Sequence, residues 1–235
     1  MCMKHLRLFV VAAMAAISMS AMAQVTYGYD YEYKPTNAAV YGSDNEAFGL
    51  LYVQYSPGQM HLKASADGES ETENESVNTI SLGYSYFIPL GDMPLFVSPG
   101  VAAQYFFKSK DGHKTNMVSV KIPVNLMYSF QVSDAFRIEP YAGVYGRINI
   151  WGETKVDGES ENIFDSDKLG DAAAKRFQLG WNAGVNFRIT EAFTIGAGYY
   201  MDILKFQDYS TKLYGHSLDY STRFQGFEFT LGINF

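Results

Sequence analysis

Seven charged residues occupy unusual places: Lys121, Arg137, Glu139, Arg147, Arg188, Asp202 and Glu228. Each lies in a segment that alternates apolar and polar residues, and each is on the polar parity. Acids and bases are both present. If those polar faces enclose an interior, the chemistry open to them is ion pairing across it, because a buried charge demands a partner. Other reactive groups are sparse. His61, His113 and His216 show no paired-histidine or HExxH spacing. His216-Ser217 with a loop acid has the residue types of a hydrolase but nothing that fixes their geometry, and catalysis requires geometry first. Two acidic stretches, "DGESETENES" (67–76) and "DSDKLGD" (165–171), carry Asp67, Glu69, Glu71, Glu73, Glu75, Asp165, Asp167 and Asp171. Carboxylates suit calcium or magnesium, but the spacing is not that of an EF-hand, and such runs are ordinarily solvated loops. We therefore expect no catalytic residue, no metal site and no cofactor.

The elements that position these charges follow a leader. Residues 1–23 combine a basic start (Lys4, His5, Arg7), an apolar run from Leu8 to Ile17 and an Ala-Met-Ala site before Gln24. That is the three-part plan of a secretory signal, with removal expected after Ala23. Cys2 is the single cysteine and falls within the leader, so the mature chain is expected to have neither disulfides nor thiolate ligands. The net charge is −7, and loss of the leader makes the chain more acidic, which argues against a nucleic-acid partner. Eighteen Tyr, 17 Phe and 21 Gly with no long apolar run after the leader suit an all-β chain. A tyrosine-rich extension, 24–45, precedes the first strand.

From about residue 46 onward the period is two, as in strands with unlike faces. "RFQLGWNAGVNFRI" splits into Phe177, Leu179, Trp181, Ala183, Val185, Phe187 and Ile189 against Arg176, Gln178, Gly180, Asn182, Gly184, Asn186 and Arg188. Similar segments occur near 77–88, 95–107, 117–130, 135–151, 192–203 and 226–235. A first strand near 46–56, "EAFGLLYVQYSP", has apolar residues on both parities and its facing is open. Short joins near 89–94, 131–134 and 190–191 alternate with longer polar joins near 67–76, 108–115, 153–174 and 205–220. This predicts an all-β, eight-stranded antiparallel up-and-down barrel, with short turns on one rim and long loops on the other.

The polar faces are rich in Gly, Asn, Gln, Ser and Thr and poor in Lys and Glu, unlike strands exposed to water. The apolar faces are therefore assigned to lipid and the polar ones to a narrow lumen. Eight strands leave an interior that side chains can fill, so the seven charges are expected to plug it. Pro99, Pro123 and Pro140 predict bulges or positions whose missing N–H faces water.

With its leader, strand alternation, loop asymmetry and terminal "FTLGINF", the region 46–235 resembles the small outer-membrane β-barrel (porin-like) family of Gram-negative bacteria, with the layout of the OmpA and OmpX barrels. The resemblance implies an outer-membrane location and contact with membrane lipid or lipopolysaccharide. It also implies that Phe227, Phe229, Leu231, Ile233 and Phe235 form the final-strand signal read by the barrel-assembly machinery. The expected function is a monomeric, non-enzymatic scaffold whose surface loops meet an unknown ligand, in adhesion or envelope structure. The alternatives are a narrow channel for small solutes or ions and a lipid-modifying enzyme.

Overall fold

The computed structural model describes residues 46–235 except 67–68, 111–112, 157–158 and 214–215, and omits side chains at 66, 110, 156, 171, 211–213 and 216–218. The leader and the 24–45 extension lie outside the described residues. In chain order the strands are β1 (Phe48–Ala66), β2 (Glu69–Pro89), β3 (Leu95–Lys110), β4 (His113–Tyr128), β5 (Phe130–Ser133), β6 (Phe136–Val156), β7 (Glu159–Asn162), β8 (Phe177–Ile189), β9 (Phe193–Asp202), β10 (Gln207–Leu213) and β11 (His216–Asn234). Eight of them, β1-β2-β3-β4-β6-β8-β9-β11, form an antiparallel ring that closes through β1 and β11. The short β5 and β7 pair with β6, and β10 pairs with β11.

Lipid-facing side chains follow the expected parity, and Val53, Leu82, Val101, Leu126, Val144, Ile195 and Leu231 are exposed on the outer surface. The open question about β1 is settled by burial. Leu50, Tyr52, Gln54 and Ser56 point inward, while Val53 and Tyr55 point outward. Both parities read as apolar because Leu50 and Tyr52 pack inside with Phe87, Phe96, Ala102 and Met127.

Two expectations are corrected. First, the joins at 67–76 and 108–115 are not long loops. β1 and β2 stay paired out to Ala66↔Glu69, and β3 and β4 to Lys110↔His113. Beyond the lipid both faces meet water, so alternation fades in sequence while the backbone remains strand. Second, of the two outcomes expected for Pro99, Pro123 and Pro140, the bulges are not found. The β2–β3 ladder skips Pro99 and resumes in register (Ser85↔Gly100, Ile88↔Val97), and Pro123 and Pro140 keep their partners Tyr145 and Val185. Losing one bond disturbs less than a one-residue shift, which would turn every later inward side chain toward lipid. A true register shift occurs at Val118/Ser119 instead, and it leaves Ile150 and Trp151 both exposed.

Above the lipid the ring divides. β2 loses β3 above the Asn78↔Phe107 rung, β6 loses β8 above Ile148↔Phe177, and β11 exchanges β9 for β10 above Gln225↔Met201. The extensions form two four-stranded sheets, β2-β1-β11-β10 and β3-β4-β6-β7. Lys108 and Glu75 form an ion pair between them, across the β2–β3 seam. A short helix, α1 (Ser166–Leu169), follows β7, with Asp165 as its N-cap accepting from the Asp167 N–H at 3.1 Å.

Candidate functional site

Inward positions of the ring gather six of the seven predicted charges into three ion pairs at successive depths. Nearest the short turns, Arg188 of β8 binds Glu139 of β6 through Nε (2.9 Å) and Nη2, and the Ser129 hydroxyl donates to the same carboxylate oxygen at 3.0 Å. At mid-depth Lys121 of β4 reaches across the ring to Glu228 of β11, Nζ to Oε1 2.5 Å. Toward the long hairpins Arg147 of β6 meets Asp202 of β9, Nη2 to Oδ2 2.5 Å, and the Tyr145 hydroxyl donates to Oδ1 at 2.6 Å. All six charged side chains are buried. Arg137 is not part of this network. It is half-buried at the start of β6, opposite Gln131 and Arg188, close to the rim where water can solvate it.

The lumen is less polar than the sequence suggested. An apolar cluster lies on each side of the mid-depth Lys121–Glu228 pair. On the short-turn side it comprises Leu50, Tyr52, Phe87, Phe96, Ala102 and Met127. On the long-hairpin side Val77, Phe106, Met117, Tyr145, Tyr200 and Phe224 meet Phe164 and Ala174 from the α1 segment and Phe206 from the β9–β10 connection. The cations lie on these rings: Arg147 is 5.0 Å from the Phe106 centroid, Arg188 is 4.0 Å from Phe48, and Lys121 is 4.4 Å from Tyr145. Sequence reasoning missed the inward aromatics, but a signal existed. Doublets such as Tyr86-Phe87, Phe106-Phe107 and Tyr199-Tyr200 must send one ring to each face of a strand.

Inward tyrosines stand opposite glycines across the ladders: Tyr52↔Gly83, Tyr141↔Gly184, Tyr145↔Gly180 and Tyr200↔Gly226. A Cβ at Gly83 or Gly180 would collide with the ring of Tyr52 or Tyr145. The glycines supply the volume that the rings occupy. A cavity of about 50 Å3 lies beside Lys121 and Glu228, lined also by Gln54, Asn125, Asn182 and Thr230. That is room for a few waters, and the unpaired Asn125 and Asn182 carbonyl oxygens are suitable partners for them.

The other candidates are dispersed. His61 is half-buried on the outer face of β1 opposite Arg223, and His113 is exposed at the start of β4. The side chains of His216, Ser217 and Asp171 lie outside the described residues. Glu69, Glu71, Glu73 and Glu75 run along the axis-facing side of β2 above the lumen. Among the described residues no group of three His, Cys, Asp or Glu side chains is close enough to hold a metal ion. Phe227, Phe229, Leu231, Ile233 and Phe235 are all exposed, at 51–62%.

Among solved structures, the chain is similar to Neisserial surface protein A (18% identity, 79% of this chain and 97% of that one, TM-score 0.39). It is also similar to Ail, the attachment invasion locus protein of Yersinia pestis (14%, 76% and 98%, 0.32), and to the outer membrane enzyme PagL (8%, 72% and 97%, 0.36). No curated protein matches the sequence. The sequence profile described as "Outer membrane protein beta-barrel domain" matches residues 9–235. With a closed eight-strand ring, an apolar outer face and a paired interior, the chain belongs to the outer membrane protein beta-barrel family.

Proposed function

We propose that this protein is a non-enzymatic, non-conducting barrel of the bacterial outer membrane whose projecting sheets recognise a surface ligand. The observation that carries this reading is strand length. β1, β2, β6 and β11 have 19, 21, 21 and 19 residues, whereas a tilted strand needs about 9–11 to cross the hydrocarbon. The surplus lies on the long-hairpin side. There β2, β3, β7 and β10 end as strands with one open edge, and such edges accept an added extended strand through main-chain bonds. The plugged lumen supports the same reading: three ion pairs and two apolar clusters occupy the path of a solute. The small polar cavity favours the channel alternative, but Phe106, Phe224 and the α1 segment stand between it and the long-hairpin rim.

Liposome swelling with the refolded protein tests the proposal. Proteoliposomes should exclude arabinose at the rate of empty vesicles, and planar bilayers should show no stable conductance steps. Sustained steps or sugar uptake would replace this reading with a channel.

A further inference from the structure

The outer surface carries a second arrangement of charge, unrelated to the lumen. Three stretches of chain lie side by side above the lipid-facing belt. The Lys175 N–H donates to the Phe206 carbonyl at 2.8 Å, and the Phe206 N–H to the Thr222 carbonyl at 2.7 Å. This stitching brings Lys175, Lys205 and Arg223 around one carboxylate. Asp208 Oδ1 is 2.8 Å from Lys205 Nζ, and its Oδ2 is 3.9 Å from Lys175 Nζ. Arg223 is a diagonal neighbour, since Asp208 pairs with Ser221 two residues along β11. Lys175, Asp208 and Arg223 are exposed and Lys205 is partly exposed. The Asp208 carboxyl is held below its usual range, first by the Lys205 hydrogen bond and then by the nearby charges of Lys205, Lys175 and Arg223. Further from the membrane, Asp219 accepts from the Ser210 hydroxyl at 2.5 Å, so it is engaged on its own strand pair.

Three cations against one carboxylate leave a local excess of two positive charges. Immediately toward the lipid, Phe177, Ile203 and Leu204 are exposed. Ile203 and Leu204 are held in place by N–H donation to the Leu179 carbonyl at 2.8 and 3.2 Å. Trp181, Tyr199 and Phe227 form a contiguous aromatic patch beneath them, with centroids 5.9 and 5.6 Å apart. An anion that binds here therefore has apolar surface on one side and water on the other.

We propose that Lys175, Lys205 and Arg223 dock the phosphomonoester headgroup of a lipid in the leaflet on the long-hairpin side, with its acyl chain against Phe177, Ile203 and Leu204. The charge matches. A phosphomonoester carries close to two negative charges near neutral pH, an arginine fork grips phosphate oxygens in a bidentate manner, and lysines beside a membrane surface each add attraction for anionic lipid. Asp208 keeps the three cations converged and is charged throughout the neutral range. A phosphodiester lipid, with one charge, satisfies only half the excess. Free phosphate lacks the apolar contact.

The test is native mass spectrometry of the refolded protein, released from phosphatidylcholine nanodiscs that contain equal small fractions of phosphatidic acid and phosphatidylglycerol. The expected result is retention of one phosphatidic acid in preference to phosphatidylglycerol. Retention should fall about fivefold for each of Lys175→Gln, Lys205→Gln and Arg223→Gln, and stay unchanged in Lys114→Gln, a basic residue elsewhere on the rim. The gel-mobility difference between unheated and boiled samples establishes that each variant is folded. Lys175→Gln, the most exposed of the lysine changes, is the variant to rely on if others misfold. Equal retention of the two lipids, retention untouched by all three substitutions, or displacement by millimolar inorganic phosphate would each overturn the proposal.

Discussion

Lys121 and Arg147 face each other directly across the β4–β6 ladder, both buried, and each is neutralised from elsewhere in the ring, Lys121 by Glu228 and Arg147 by Asp202. Like charges opposed in this way destabilise a sheet, so each acid has a double duty: it pairs one cation and screens it from the other. Glu228→Ala should cost about 3–5 kcal/mol, because it strands a buried ammonium beside a guanidinium. Glu228→Ala combined with Lys121→Met should recover most of that loss. Urea unfolding in lipid, followed by gel mobility, measures both. Equal loss in the single and double variants would mean that the pair does not act as a unit.

The tyrosine–glycine contacts predict a coupled pair. A Cβ at Gly198 would collide with the Tyr141 hydroxyl, whereas the Tyr141 ring carbon behind it is 3.4 Å away. Gly198→Ala should therefore destabilise by about 1–3 kcal/mol. The loss should be smaller in a Tyr141→Phe background, with a coupling of at least about 0.5 kcal/mol. A double-mutant cycle in urea reads the coupling, and strict additivity would show that the hydroxyl is not the obstacle.

Phe164 holds the α1 segment on the barrel, packing edge-on to Phe206 at 6.2 Å and beneath the Arg176 guanidinium at 4.8 Å. Phe164→Ala should free this segment without unfolding the ring. Trypsin should then cut at Lys168, Lys175 or Arg176 many times faster than in the parent, while the heat-dependent gel shift persists. Unchanged cleavage would mean that Ile163 and Ala174 suffice.

Asp208 provides a pH marker for the outer rim. Its carboxyl is lowered, chiefly by the Lys205 hydrogen bond. The carboxylate–ammonium contact is therefore present above the ordinary aspartate range and lost as pH falls through the lowered value. A carbon-13 titration of Asp208 should place its midpoint below that of an unpaired aspartate. The midpoint should rise toward the ordinary value in Lys205→Gln and in high salt.

The sequence made the membrane-crossing part of the fold readable wherever two faces met two solvents. Phe177 to Ile189 splits without exception because lipid lies on one side and the polar lumen on the other. The same rule fails at both ends. Glu69 to Ser76 has water on both sides, so strand reads as loop. Leu50 and Tyr52 have apolar surroundings inward and outward, so their facing could not be read. Six charges share the lumen, but which acid meets which base depends on strand tilt and stagger around the ring, and no local pattern encodes that. Arg137 shares the parity of Arg147 and Glu139, and depth alone separates it from them. The outer cluster around Asp208 was equally invisible, since it depends on backbone bonds between residues 175, 206 and 222.

The inward tyrosines also bear on how the barrel assembles. Tyr145 fits opposite Gly180, and its inward neighbours on β8 are Gln178 and Asn182. A slip of one residue between β6 and β8 turns one strand over relative to the other, and sends either the Tyr145 ring or Gln178 and Asn182 toward lipid. A hairpin threaded two residues out sets a full side chain where the ring must lie. Repeated at Tyr52, Tyr141 and Tyr200, the contact ties ring position to strand register around the barrel, because each ring has room only opposite its own glycine.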